Sequence, residues 1–345
     1  MEQMELGRVA DDLFREFSIN GTELARAVGE GKIGEAVAVL VEAVQSTIGQ
    51  PLIYAKEYLI TFLILGIGAA LIKQLGVFFQ DSQVQKIGFW VVYIFLAGQF
   101  LELYYNGEIV AQACLRKLID FGNVFVPIFS GVLTLASGSV TGAGYITALL
   151  LIIYLIEQFL LNVMVPFIEG YMLLCLLGVL WQRERVEKLI DLIGKGIHLG
   201  FKGVIAATTG FGVLQSMILP YVDRAKVGAV KKMVDLIPGA GGLAGTTLEM
   251  VTGSAVLLKN GIGVIGILLL TLAAAAPLLK LGFFCLILRV SSAVFGLYGE
   301  KQMMWCADKM STAEGYLWKI VFCGVVLFML WIVLAVYTTN QRLMM

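Results

Sequence analysis

The chain has 345 residues and no net formal charge, yet only 14% of its residues are charged and 59% are hydrophobic. Its mean hydropathy of +0.88 is far above that of an ordinary soluble domain, which excludes a soluble globular fold. No basic stripe interleaved with aromatic side chains occurs in the sequence, so a nucleic-acid-binding function is excluded as well.

Residues 1–50 differ from the rest of the chain in charge and in pattern. Acidic side chains outnumber basic ones in this segment, whereas basic side chains are in excess in the remainder. Apolar residues recur there at helical spacing with charges between them, which predicts two amphipathic helices on the membrane surface or on a partner. Because the first residues are charged, we expect no signal peptide. We therefore divide the chain into N-terminal amphipathic helices, residues 1–50, and a polytopic membrane domain, residues 51–345.

Long apolar runs dominate the membrane domain. A bilayer core of about 30 Å requires roughly 20 mostly apolar residues in a helix. Six runs fit this length, at residues 58–75, 87–105, 144–163, 165–181, 261–288 and 316–337. Two further candidates are weaker, because residues 124–136 are too few to span comfortably and residues 201–220 are diluted by polar residues and glycines. We expect an all-α bundle with six to eight transmembrane helices.

The segment between residues 181 and 200 has a different pattern. One stripe of apolar side chains is opposed by basic ones, and the two sets are Val186, Leu189, Ile190, Ile193 and Ile197 against Arg183, Arg185, Lys188 and Lys195. The pattern predicts an amphipathic helix that either lies in the membrane interface or packs on the bundle.

Two Pro/Gly-rich stretches interrupt the apolar runs at a constant offset along the chain. This offset aligns Pro127 with Pro238 and Pro166 with Pro277, and it suggests that residues 123–180 are repeated in residues 234–291. Such stretches break helices and free backbone polar groups, so we expect re-entrant hairpins that shape a gate. Close helix packing through small residues is the alternative. The candidate hairpin residues are Pro127, Gly131, Gly142, Pro238, Gly241, Gly242 and Gly253.

The sequence offers few groups for catalysis. His198 is the only histidine, no phosphate-binding loop or metalloprotease motif occurs, and the five cysteines are scattered. We therefore predict no catalytic residue, no metal site, no cofactor and no enzymatic activity. Charged residues inside apolar runs are candidates for function, because each is costly in lipid. They are Glu57, Lys73, Glu102, Glu157, Glu169 and Lys280, and we consider an ion pair between Glu157 and Lys280 across the bundle.

One stretch of the chain resembles a known family. From residue 212 to 281 the sequence contains Ile237-Pro238, Gly241-Gly242, Leu257-Leu258-Lys259-Asn260 and Pro277-Leu278-Leu279-Lys280 in an ordered series, and weaker similarity extends upstream through Pro127 and Val165-Pro166. In these residues the chain resembles the stage III sporulation protein AE family of endospore-forming bacteria. Family members usually begin with a signal peptide, and in that respect this sequence departs from the pattern.

The resemblance implies a function and a location. It implies a non-enzymatic, multi-pass component of the channel or secretion-like complex between mother cell and forespore, in the mother-cell membrane around the forespore. The implied partners are the other membrane and ring-forming proteins of the same sporulation operon, together with the lipid bilayer. An alternative from another class is a stand-alone transporter of a small solute, with its site at the repeated Pro/Gly hairpins.

Overall fold

The computed structural model describes residue 38 and residues 56–74, 82–137, 151–181, 186–210 and 243–340. Within these ranges the chain forms helices and no strand. In chain order the long helices are α1 (Lys56–Gln74), α2 (Ser82–Ser137), α3 (Leu151–Leu180), α4 (186–210), α5 (Leu243–Leu297) and α6 (Lys301–Asn340). The predicted all-α fold is confirmed, while the predicted N-terminal helices fall, apart from residue 38, outside the described residues.

Five of the described helices contain segments that are long and apolar enough to cross a membrane. These segments are Lys56–Gln74, Gln85–Asn123, Leu151–Leu180, Gly263–Leu297 and Lys301–Val333. The chain is therefore a multi-pass membrane protein, as its composition predicts. Two of the helices are much longer than a bilayer requires, because α2 has 56 residues and α5 has 55.

The runs at residues 144–163 and 165–181 are not two spans, because α3 continues through both from Leu151 to Leu180. Pro166 lacks the amide hydrogen that a regular helix needs at that position. A π-helical turn at Leu160–Met164 precedes it, and the N–H of Val165 donates to the carbonyl of Leu160. This wider turn lets the helix pass the proline without ending, so the prediction of two separate spans here is wrong.

Helices α5 and α6 form an antiparallel hairpin around a tight turn. Gly299 in this turn has a positive φ of 75°, and the N–H of Glu300 donates to the carbonyl of Phe295 at 3.0 Å. Lys73 at the end of α1 binds the same turn, since its Nζ lies 3.1 Å from Glu300 Oε1 and 3.1 Å from the Gly299 carbonyl oxygen. The turn therefore joins three helices.

Three hydrogen bonds connect α5 to α6 at a regular interval. Ser292 Oγ donates to the Met304 carbonyl at 2.9 Å, Ser311 Oγ donates to the Cys285 carbonyl at 3.1 Å, and Trp318 Nε1 donates to the Leu278 carbonyl at 3.1 Å. Successive bonds lie seven residues apart on both helices, so they recur after two helical turns on the facing sides. We call these three bonds the α5–α6 ladder.

The turn at Gly299 supports a prediction about stability. In Gly299→Ala the alanine must adopt the left-handed backbone conformation, which costs roughly 1–2 kcal/mol for an L-residue. We expect a lower Tm for the purified full-length protein. Gly98→Ala is the control, because its Cβ would enter open space within a regular helix. An unchanged Tm in Gly299→Ala would contradict the strained turn.

Buried aromatic side chains connect α2 to α1 and to α3. Phe62 of α1 and Phe100 of α2 are almost completely buried, and their ring centroids lie 5.2 Å apart. Tyr93 of α2 donates from its hydroxyl to the Leu176 carbonyl of α3 at 2.6 Å. These contacts fix the helices whose polar residues form the candidate site.

The amphipathic helix predicted between residues 181 and 200 exists as α4, which extends to residue 210. Val186, Ile190 and Ile197 of its apolar stripe are buried, whereas Leu189 is 48% exposed. His198 lies 3.4 Å from the Tyr316 hydroxyl of α6. Of the two alternatives, the structure supports a helix that packs on the bundle.

The predicted re-entrant hairpins are not confirmed. Pro127 and Gly131 lie within α2, and Gly253 lies within α5, so the backbone there is helical. A proline inside a helix costs one hydrogen bond, which does not by itself force a reversal of the chain. Gly142, Pro238, Gly241 and Gly242 lie outside the described residues, and the internal repeat stays a prediction.

Candidate functional site within the helical bundle

Three of the six predicted intramembrane charges line a single cavity between α1, α2 and α5. Glu57, Glu102 and Lys280 are brought together there, although they are far apart in the sequence. The cavity has a volume of about 360 Å³, and its other lining residues are Tyr58, Thr61, Gln99, Asn106 and Phe284. These charges are visible in the sequence, but their spacing along the chain does not show that they share a site.

Hydrogen bonds position the side chains of this cavity. Asn106 Nδ2 donates to the Tyr58 hydroxyl at 3.0 Å, and that hydroxyl donates to Glu102 Oε1 at 3.4 Å. The ammonium of Lys280 lies 5.8 Å from the centre of the Phe284 ring. Carboxylate acceptors and an ammonium donor therefore face the same space, and this set can hold a small polar molecule that carries groups of both signs.

A second cluster surrounds Glu157, the intramembrane charge that the sequence places deepest. Glu157 of α3 is completely buried, and among the described residues neither carboxylate oxygen has a hydrogen-bond partner. Glu157 lies against Gly324 of α6. A Cβ added to this glycine would lie only 2.8 Å from Glu157 Oε1. Lys280 lies in the cavity described above instead, so the proposed Glu157–Lys280 ion pair is wrong.

A third group, which was not predicted from the sequence, lies where α2 meets α6. Glu314 is completely buried, and a Cβ on Gly107 would overlap its carboxylate. Glu108 follows Gly107 and is 9% exposed, with Gln112 Nε2 donating to its Oε1 at 2.8 Å. The hydroxyl of Tyr104, the Oε2 of Glu108 and both oxygens of Glu314 have no hydrogen-bond partner in the described part of the chain.

Glu157 and Glu314 share one arrangement: each carboxylate projects from one helix onto a glycine of the next. A glycine there leaves room for a carboxylate that would otherwise not fit between closely packed helices. An ionised carboxylate in such a place costs several kcal/mol unless it is compensated, and intramembrane carboxylates commonly mark ion or proton paths. These two positions are therefore candidates for function rather than for stability.

The remaining predicted charges lie nearer the helix ends or the bundle surface. Lys73 pairs with Glu300 at the α5–α6 turn, with its side chain 42% exposed. Glu169 of α3 accepts a hydrogen bond from the Tyr105 hydroxyl at 3.4 Å. The side chains of Cys114, Cys175 and Cys306 are buried, as expected of small apolar side chains.

The fold and the buried charges define the class of this protein, a multi-pass all-α membrane protein with polar groups between its helices. The chain belongs to the stage III sporulation protein AE family, whose family model matches residues 19–339. It is similar to the stage III sporulation protein AE of Bacillus subtilis (strain 168), with 22% identity over 288 residues, which cover 83% of this chain and 72% of that protein. No solved structure matches the chain.

Proposed function

We propose that this chain is a non-enzymatic membrane component of the channel complex that connects mother cell and forespore during endospore formation. Membership in the stage III sporulation protein AE family carries the proposal, because the match covers every described span. The chain is embedded in the mother-cell membrane around the forespore, where it binds the other membrane and ring-forming proteins encoded by its operon. Its Pro/Gly segments, including Gly241 and Gly242, shape a gate or a partner surface.

Several features of the described bundle support an assembly role. Helices α1 and α3 present exposed apolar side chains that suit lipid or neighbouring helices, with Ile64 63% and Leu155 56% exposed. The buried carboxyl groups of Glu157 and Glu314, together with the polar cavity, give the bundle polar groups in its interior, which are uncommon inside a membrane and often functional.

Deletion of the gene tests this proposal in the spore-forming host. We expect the deletion strain to stop after engulfment and to yield very few heat-resistant spores, and the full-length chain supplied elsewhere on the chromosome to restore them. The tagged chain should co-purify with the membrane and ring-forming proteins of its operon. Normal heat-resistant spores in the deletion strain would rule the proposal out.

The cavity of Glu57, Glu102 and Lys280 favours a second candidate, a stand-alone transporter for a small solute. Such a protein moves its solute in proteoliposomes without partners, and Lys280→Ala would abolish that movement while leaving the protein folded. A purified chain that is inert alone but retains its operon partners excludes the transporter and supports the complex component.

A further inference from the structure

Three polar side chains meet inside the bundle where α2 contacts α6. Tyr104 and Glu108 are one helical turn apart on the same face of α2, and Glu314 of α6 packs against the intervening Gly107. The two carboxylates interact electrostatically with each other and with the Tyr104 hydroxyl. Tyr104 and Glu314 are completely buried, and Glu108 is 9% exposed. We call these three side chains the Glu108–Glu314 cluster.

Apart from the Tyr104 hydroxyl, the Glu108–Glu314 cluster offers only acceptors. Both oxygens of Glu314, Oε2 of Glu108 and the Tyr104 hydroxyl have no hydrogen-bond partner in the described residues. Glu169 of α3, which accepts a hydrogen bond from Tyr105, adds a further negative charge beside Glu108. No lysine or arginine of the described residues interacts electrostatically with either carboxylate of the cluster. Two ionised carboxylates would repel each other there without compensation, so the cluster requires a positively charged ligand.

A proton fits this place better than a metal cation does. The Glu314 carboxylate packs so closely on Gly107 that a Cβ on this glycine would overlap it, which leaves little room for a coordinated ion. Hard cations take about six oxygen ligands. In the described part of the chain, no three His, Cys, Asp or Glu side chains are arranged to hold a metal ion. A proton needs a single oxygen, and a carboxylate that is buried without compensation takes up a proton instead of staying charged.

A polar cavity beside the Glu108–Glu314 cluster provides a source of protons. It lies between α2 and α3, has a volume of about 440 Å³, and has the polar lining residues Gln112, Arg116, Asp120, Gln158 and Asn162. This volume is large enough for several water molecules. Gln112 connects the cavity to the cluster, because its Nε2 donates to Glu108 Oε1 at 2.8 Å. Glu108 therefore lies between a space that water can occupy and the completely buried Glu314.

We propose that Glu108 and Glu314 form a proton-binding site that is loaded from the cavity between α2 and α3. A hydronium ion in the cavity gives its proton to Glu108, and Glu108 passes it to Glu314, which leaves one water molecule and one neutral carboxyl group. Gln112 is a positioning residue, since its hydrogen bond holds Glu108 beside the cavity. The site belongs to this chain alone, so it goes beyond the proposed function and needs no partner protein.

Infrared spectroscopy of the purified full-length protein in one fixed detergent tests the site. A protonated carboxyl group has a carbonyl band that is separate from the bands of carboxylates and that shifts when deuterium replaces the proton. At neutral pH we expect this band in the parent protein, and we expect Glu314→Gln to lose the Glu314 component. After transfer to D₂O the band should shift roughly tenfold more slowly in Gln112→Leu than in the parent, because the hydrogen bond to Glu108 is lost.

Matched controls separate this carboxyl group from others. Glu300→Gln should keep the parent band, since Glu300 is paired with Lys73. Glu157→Gln removes another completely buried carboxyl group and should keep the Glu314 component. Gln302→Leu replaces an exposed glutamine at the start of α6, and its exchange rate should match that of the parent.

Four results would overturn the inference. The first is a parent spectrum without an acid carbonyl band, a result that no misfolded variant can imitate, and the second is the same band in Glu314→Gln. The third is loss of the band when sodium or potassium ions are added at constant pH, which would show that the site holds a metal cation. The fourth is exchange as fast in Gln112→Leu as in the parent, which would show that protons do not enter from the cavity.

Discussion

Gly107→Ala is expected to lower the Tm of the full-length protein, because the added Cβ overlaps the carboxylate of Glu314. Glu314 is completely buried between α2 and α6, so it has little room to move away. Overpacking of this kind typically costs about 1–3 kcal/mol. Thermal unfolding of the purified protein in one fixed detergent measures the effect.

Gly98→Ala on the same helix is the matched control for this substitution. Nothing lies within 4 Å of its added Cβ, and alanine stabilises a helix by up to about 1 kcal/mol relative to glycine. The double variant Gly107→Ala/Glu314→Ala tests the cause, since removal of the carboxylate removes the overlap. We expect it to be more stable than Gly107→Ala alone. Equal Tm values for Gly107→Ala and Gly98→Ala would refute the close contact.

Glu314→Gln is expected to reduce function without reducing stability. Glutamine keeps the shape of the side chain but removes the ionised form, whose burial without a partner costs more than that of a neutral amide. We therefore expect a Tm no lower than that of the parent protein. If the carboxylate takes part in ion or proton movement, heat-resistant spore counts should fall although the protein is present at its normal level.

Glu300→Gln is the control for this variant, because Glu300 has a partner. Its Oε1 lies 3.1 Å from Lys73, a partly exposed pair whose loss costs at most about 1 kcal/mol. Its Tm should fall slightly and its spore counts should stay near those of the parent. A lower Tm in Glu314→Gln would show that the native carboxylate is stabilised by a partner, and unchanged spore counts in that variant would exclude it from the mechanism.

The sequence predicted those parts of the fold that depend on apolar length. The runs that became α1, the first part of α2 and the middle of α5 were found because a bilayer requires a minimum number of apolar residues in succession. Glu157 was found for the same reason, since a single charge within an apolar run is conspicuous.

The sequence did not predict features that depend on how the helices face one another. The apolar run near the C-terminus began at residue 316, but α6 begins at Lys301, because charges in its first turns lower the hydropathy without preventing a helix. Glu314 lies in that early part and was missed for this reason.

A glycine at 107 or 324 is ambiguous in sequence, because only the packed structure shows that a carboxylate lies against it. The Glu157–Lys280 pair failed likewise, since spacing along the chain does not tell which helices are neighbours.

The α5–α6 ladder has a mechanical consequence. Its three bonds, at Ser292, Ser311 and Trp318, have the same spacing on both helices, so sliding or rotation of either helix about its axis would break all of them together. We therefore expect α5 and α6 to move as one rigid unit, with the turn that Lys73 binds at one end of it. Any displacement of this hairpin should therefore leave the distances within the α5–α6 ladder unchanged.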